Sequence, residues 1–117
     1  MAESASVENS LVTVGCDVAG KLDYSVLFEN VTVEEGATVE YALVMPGSVI
    51  KRGATVRYAI VAENVVVEEN AVIGESPEEI DNLENWGVTV IGEKVTIDKG
   101  ATVKAKEMID EDIKEVK

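Results

Sequence analysis

Val33 to Val49 reads VEEGATVEYALVMPGSV, Ile50 to Val66 reads IKRGATVRYAIVAENVV, and Val67 to Glu75 starts the phrase again as VEENAVIGE. Superposed at a spacing of 17 residues, these stretches align aliphatic residues that return at steps of six, five and six: Val33, Val39, Val44, Ile50, Val56, Val61, Val67 and Ile73. A small residue stands four places after the first of each group, at Ala37, Ala54 and Ala71. An α-helix would repeat near 3.6 and an alternating strand at 2. A period near six, three to a coil, is that of a hexapeptide-repeat parallel β-helix. The recurring aliphatic residue points inward, and the small residue sits at a corner where a larger side chain would crowd the turn. Gly36 and Gly53 precede two such corners and suit positive φ. Asn64 and Asn70 hold the equivalent place in later groups, and asparagine tolerates that backbone region best after glycine.

Extended backwards by 17, the register places Cys16, Leu22 and Leu27 inward, with Val12 closing a shorter first coil. Downstream, Ile91, Val95, Ile97, Ala101 and Val103 resume the pattern after an insertion at 75–87. The expected fold is all-β, a parallel β-helix over residues 8–104 with 17-residue coils, about five of them. Residues 1–7 are expected to be disordered or a cloning remnant. Ser76-Pro77-Glu78-Glu79 is a capping box with proline at the first helical position. Ile80, Leu83 and Trp86 follow at helical spacing, predicting a short helix inside the insertion. The tail 105–117 carries Met108, Ile109, Ile113 and Val116 on one helical face, predicting a helix that covers the last coil.

Composition narrows the function. The formal net charge is −13, which disfavours nucleic acid and anionic membranes as partners. No apolar run approaches a membrane span, and no secretory signal pattern is present. The single Cys16 implies no disulfide framework and fits a reducing cytoplasm. The basic cluster Lys51, Arg52 and Arg57, with Arg57 at the coil position of Glu40, is either a solvated face or a contact for a partner or anion. The chain has no histidine. Hexapeptide-repeat acyltransferases rely on a histidine base, and β-helical carbonic anhydrases hold zinc with three. No Ser-His or Cys-His constellation, phosphate-binding glycine loop or metal-ligand spacing is visible. No catalytic, metal or cofactor residue is expected in this chain.

Asn9-Ser10-Leu11-Val12, Gly15-Cys16, Gly20, Ser25-Val26-Leu27, Ala42-Leu43-Val44-Met45-Pro46-Gly47 and Val72-Ile73-Gly74-Glu75-Ser76-Pro77-Glu78-Glu79 resemble the C-terminal domain of bacterial glucose-1-phosphate adenylyltransferase (ADP-glucose pyrophosphorylase). The resemblance implies a left-handed β-helix, whereas the general rule for parallel crossovers would favour the right hand. It also implies a parent enzyme that joins ATP and glucose 1-phosphate into ADP-glucose and pyrophosphate for glycogen synthesis. Its Mg²⁺-dependent active site lies in an N-terminal nucleotidyltransferase domain absent from this sequence. The implied partners of the β-helix are that domain, sister subunits in a homo-oligomer, and a sugar-phosphate or nucleotide effector. Two effector-contacting arginines of some members align with Glu63 and Glu93, where acids would repel a phosphate. Arg52 and Arg57 are then the remaining cationic candidates. The competing readings are a free-standing β-helical scaffold and a hexapeptide-repeat acyltransferase.

Overall fold

A β-strand of two or three residues cannot stand alone, and this chain builds its whole fold from such strands stacked in three columns. The computed structural model of the protein describes residues 6–75, 87–104 and 108–109. The first sheet orders Ser6–Glu8, Lys21–Asp23, Thr38–Glu40, Thr55–Arg57, Val72–Ile73 and Thr102–Val103. The second orders Leu11–Val12, Val26–Leu27, Leu43–Val44, Ala59–Val61, Thr89–Ile91 and Met108–Ile109. The third orders Asp17–Val18, Thr32–Val33, Val49–Ile50, Val66–Val67 and Thr96–Ile97. Every pairing is parallel, as it must be when the chain visits each sheet once per turn. The result is a parallel β-solenoid of about five turns.

The expected inward residues form three continuous columns. Leu22, Val39, Val56, Ile73 and Val103 pair rung to rung in the first sheet. Leu27, Val44, Val61 and Ile91 do so in the second, and Val33, Ile50, Val67 and Ile97 in the third. All of these are buried. Each such aliphatic side chain contributes about 1.5–3 kcal/mol on removal from water. Ala37, Ala54, Ala71 and Ala101 are buried at one corner. Two corner positions are hydroxyls whose hydrogen bonds stay inside the wall. Ser48 Oγ donates to the Ala62 carbonyl at 2.7 Å and accepts the Val65 N–H at 3.0 Å. Ser25 Oγ has the Asp23 and Val39 carbonyls within reach of its single proton, at 3.0 and 3.2 Å, and accepts the Ala42 N–H.

The corners explain the glycines and asparagines. Gly36, Gly53, Asn64 and Asn70 all have φ between 55° and 80°. Asparagine does more than tolerate this conformation. The Asn64 carboxamide lies over Gly47 of the preceding coil, and Asn70 lies likewise over Gly53. A Cβ on either glycine would collide with that amide.

Three expectations are corrected. Cys16 does not lie in the inward column; Val18 does, paired with Val33. The reason is that the first corner passes from Val18 to Lys21 through Ala19 and Gly20 alone, so this coil is two residues shorter than 17. Gly20 makes the shortcut possible, because a Cβ there would sit 2.5 Å from the Ala37 carbonyl oxygen. Cys16 falls on the corner instead, half-buried and still packed against the core, with Sγ 3.0 Å from the Phe28 carbonyl. Ser6 and Val7 are not unstructured, since they pair with Lys21 and Leu22. Met108 and Ile109 are not helical. They form a sixth rung on Val90 and Ile91, and Ile109 accepts the Gly92 N–H at 2.6 Å. An open parallel edge offers unpaired N–H and C=O groups, and a further rung satisfies them where a helix would not. The rest of the tail and the helix expected from Ser76 to Trp86 lie outside the described residues. The insertion itself is evident, because the coil leaving Val61 returns to its sheet only at Ile91.

Two substitutions test this register. Val56→Asp places a carboxylate in the middle of the first column, at a cost of several kcal/mol against a total stability of about 5–15; circular dichroism is expected to show loss of the folded spectrum, and a native-like spectrum would refute the inward assignment. Gly47→Ala meets both positive φ and the Asn64 amide, whereas Gly36→Ala meets only the φ penalty, its nearest neighbour being 3.6 Å away. Thermal melts should place Gly47→Ala below Gly36→Ala, each losing about 1 kcal/mol or more.

Candidate interaction surfaces

With the inward side chains consumed by the shaft, function is left to the outward positions. The three cations singled out by sequence come from two places in the coil. Lys51 and Arg52 stand at the corner between the third and first sheets, and Arg57 ends the strand Thr55–Arg57. Each lies in a column of acids. Lys51 follows Ile50 as Glu34 follows Val33, Glu68 follows Val67 and Asp98 follows Ile97, and the backbone ladder stacks these positions. Lys51 Nζ is 3.1 Å from Glu68 Oε1, a partly exposed ion pair that solvent screens. That hydrogen bond holds the Lys51 ammonium above the usual lysine range; the Glu68, Glu69 and Glu34 charges help and desolvation opposes. The Arg52 main-chain N–H donates to Glu34 Oε1 at 3.0 Å. Arg57 pairs in register with Glu40, itself in register with Asp23, and its Nε is buried. A cation amid carboxylates is neutralised locally and attracts an anion weakly.

Glu63 and Glu93 are brought together. Lys94 donates its N–H to the Glu63 carbonyl at 2.9 Å, so the two acids occupy one corner of successive coils, both exposed. Among the described residues, no group of three or more His, Cys, Asp or Glu is placed to hold a metal ion.

Sequence reasoning missed the feature that dominates the outside. On the second sheet the outward residues are Leu11, Val26, Leu43, Ile60, Val90 and Met108, each paired with the next. Every outward rung of this sheet is apolar. The first sheet instead presents Ser6, Lys21, Thr38, Thr55, Val72 and Thr102, and the third presents Asp17, Thr32, Val49, Val66 and Thr96, so polar residues interrupt both ladders. The signal was present as two adjacent aliphatics in every strand of the second sheet, where one inward residue would suffice for the core.

An aromatic edge borders that face. Tyr24, Tyr41 and Tyr58 fill the shortened corner with φ of 48° or 49°, a region that bulky residues avoid. Their rings stack almost parallel, with centroids 5.0 and 4.7 Å apart. Stacking of the rings opposes part of the backbone strain. Desolvation within the stack raises the Tyr41 phenol above its ordinary value, and Tyr58, Tyr24, Asp23 and Glu40 add to the rise. Thr89 donates its N–H to the Tyr58 carbonyl, which sets Val88 next in this column. Between the edge and the ladder lies an open, apolar depression of about 350 Å³ lined by Tyr24, Tyr41, Leu43, Ile60 and Val88. It has no charged group, and so suits an apolar surface better than a polar substrate.

Comparison with known proteins agrees with this architecture. Residues 1–92 match the model of the GlmU-like C-terminal hexapeptide family. The chain is 54% identical over 39 residues to glucose-1-phosphate adenylyltransferases of Bacillus thuringiensis (strain Al Hakam), Bacillus mycoides (strain KBAB4) and Bacillus anthracis. Those matches cover 33% of this chain and span about a tenth of the relatives' own length, 10% in each case. A repeating shaft with no histidine, an acidic exterior and one apolar face is therefore a variant on a known theme: the chain belongs to the GlmU-like C-terminal hexapeptide family.

Proposed function

We propose that this chain is the β-helical domain of a cytoplasmic glucose-1-phosphate adenylyltransferase, acting in assembly and regulation and not in bond-making. The parent reaction in this reading joins ATP and glucose 1-phosphate to give ADP-glucose and pyrophosphate, with Mg²⁺ held in a separate nucleotidyltransferase domain. The observation that carries the reading is the 54% identity to adenylyltransferases across 39 residues of a repeat whose shaft is otherwise generic. The left-handed wind expected from the resemblance belongs to the same reading.

The chemistry of the chain supports a non-catalytic role. Acyl transfer or hydration would need a general base or metal ligands at a cleft between coils. The sequence supplies no histidine, and the apolar depression beside the second sheet has no carboxylate or amine in its lining, its polar groups being the tyrosine hydroxyls. Effector binding through Lys51, Arg52 and Arg57 is weak in this reading, because the carboxylates of Glu34, Glu68 and Glu40 lie in the same columns. Glu63 and Glu93 add a second repulsive patch for phosphate. Partnership with the nucleotidyltransferase domain and with sister subunits belongs to the same reading.

The test is enzymatic. Incubated alone with ATP, glucose 1-phosphate and Mg²⁺, the purified chain is expected to give no ADP-glucose above background, while a polypeptide joining it to the nucleotidyltransferase domain encoded upstream makes ADP-glucose. Turnover by the isolated chain would overturn the non-catalytic assignment. An upstream reading frame with no such domain would overturn the parentage.

A further inference from the structure

We infer that the outer face of the second sheet is the surface on which two copies of this chain associate, end for end, about a two-fold axis lying along the strands between Leu43 and Ile60. This deepens the assembly role proposed above by assigning its surface and its partner. Three observations carry it.

The first is charge. The chain carries a formal net charge of −13, so most ways of bringing two copies together set acids against acids. The outward ladder of the second sheet carries no charge from Leu11 to Met108. It is the face on which like copies meet at the lowest electrostatic cost. The second is area. Leu11 is 61% exposed, Tyr24 53%, Tyr41 47%, Leu43 37%, Val88 46% and Met108 76%. Judged by side-chain size this leaves roughly 700 Å² of mostly apolar surface, above the about 300–600 Å² of the largest patch on a typical monomer. It is close to the about 800 Å² per partner that a specific interface buries.

The third is symmetry. Read from one end the ladder runs Leu, Val, Leu, Ile, Val, Met, and read from the other it shows the same order of large and small. An end-for-end arrangement therefore sets Leu11 near the partner's Met108, Val26 near the partner's Val90, and Leu43 near the partner's Ile60. The corner column follows the same rule: Tyr41 approaches the partner's Tyr58, and Tyr24 the partner's Val88. Self-complementarity of this kind is what an isologous two-fold contact requires. Two β-faces packed in this way share side chains across a layer about 10 Å thick.

Sedimentation equilibrium of the purified chain in the micromolar range tests the proposal. Wild type is expected to be dimeric, and Leu43→Glu to raise the dissociation constant at least about tenfold with an unchanged far-ultraviolet spectrum. Glu35→Lys, on another face, is the control and should leave the dimer intact. Leu11→Glu, at a well-exposed rung, serves if Leu43→Glu fails to fold; it should also weaken the dimer. Adding Met108→Lys to Leu11→Glu should restore association, since the two positions lie at opposite ends of one chain and meet only across the two-fold. A monomeric wild type overturns the proposal, as does a dimer indifferent to Leu43→Glu and Leu11→Glu. Failure of the restoring pair overturns the end-for-end arrangement. None of these outcomes measures ADP-glucose formation, so the enzymatic reading stands or falls separately.

Discussion

Stacking of one aliphatic side chain on its counterpart in the next coil is the contact from which the rest of this molecule follows. A single coil has no interior of its own; Val39 becomes buried only because Leu22 lies on one side and Val56 on the other. Stability is therefore close to a sum over neighbouring coils. The same contact dictates composition. A narrow shaft admits valine, leucine and isoleucine but little aromatic volume, so the tyrosines are expelled to a corner. There they stack on one another outside the shaft, in the same vertical register as the core.

That register was legible because it repeats. Val33, Ile50 and Val67 announce their equivalence three times, and Gly36, Gly53, Asn64 and Asn70 mark corners for a reason any chain must respect. Legibility failed where the repeat changes length. Cys16 was assigned by subtracting a constant, but the corner at Ala19 and Gly20 is shorter, and only the pairing of Val18 with Val33 reveals it. Met108 and Ile109 were read by helical spacing, which over a short segment is weak evidence against a free strand edge that needs partners. The conformation of Tyr24, Tyr41 and Tyr58 was hidden for a different reason: a positive φ in tyrosine is intelligible only once the three rings are seen to support one another.

The candidate surfaces were legible to a lesser degree. Lys51, Arg52 and Arg57 stand out in an acidic chain because they are rare. In three dimensions their rarity has the opposite meaning, since each relieves repulsion among stacked carboxylates: Lys51 bonds to Glu68 within the column that also contains Glu34. A solenoid multiplies whatever it places outward, because equivalent positions lie about 4.8 Å apart. Unrelieved, a column of glutamates would be a line of like charges at that spacing. A basic residue inserted once in such a column is first a structural neutraliser, and it is a poor anchor for a phosphate.

The same multiplication acts on the second sheet with the opposite sign. One outward leucine is unremarkable on a protein surface, whereas six stacked apolar rungs make a continuous hydrophobic strip. The core has no use for the strip, since Leu27, Val44, Val61 and Ile91 already fill that side of the shaft. An acidic chain that interrupts the outer ladders of the first and third sheets with charged or hydroxyl residues, and keeps that of the second wholly apolar, has set one face apart from the rest of its exterior. That division is the most specific chemical statement the exterior makes. It directs association by excluding the other faces as much as by favouring this one.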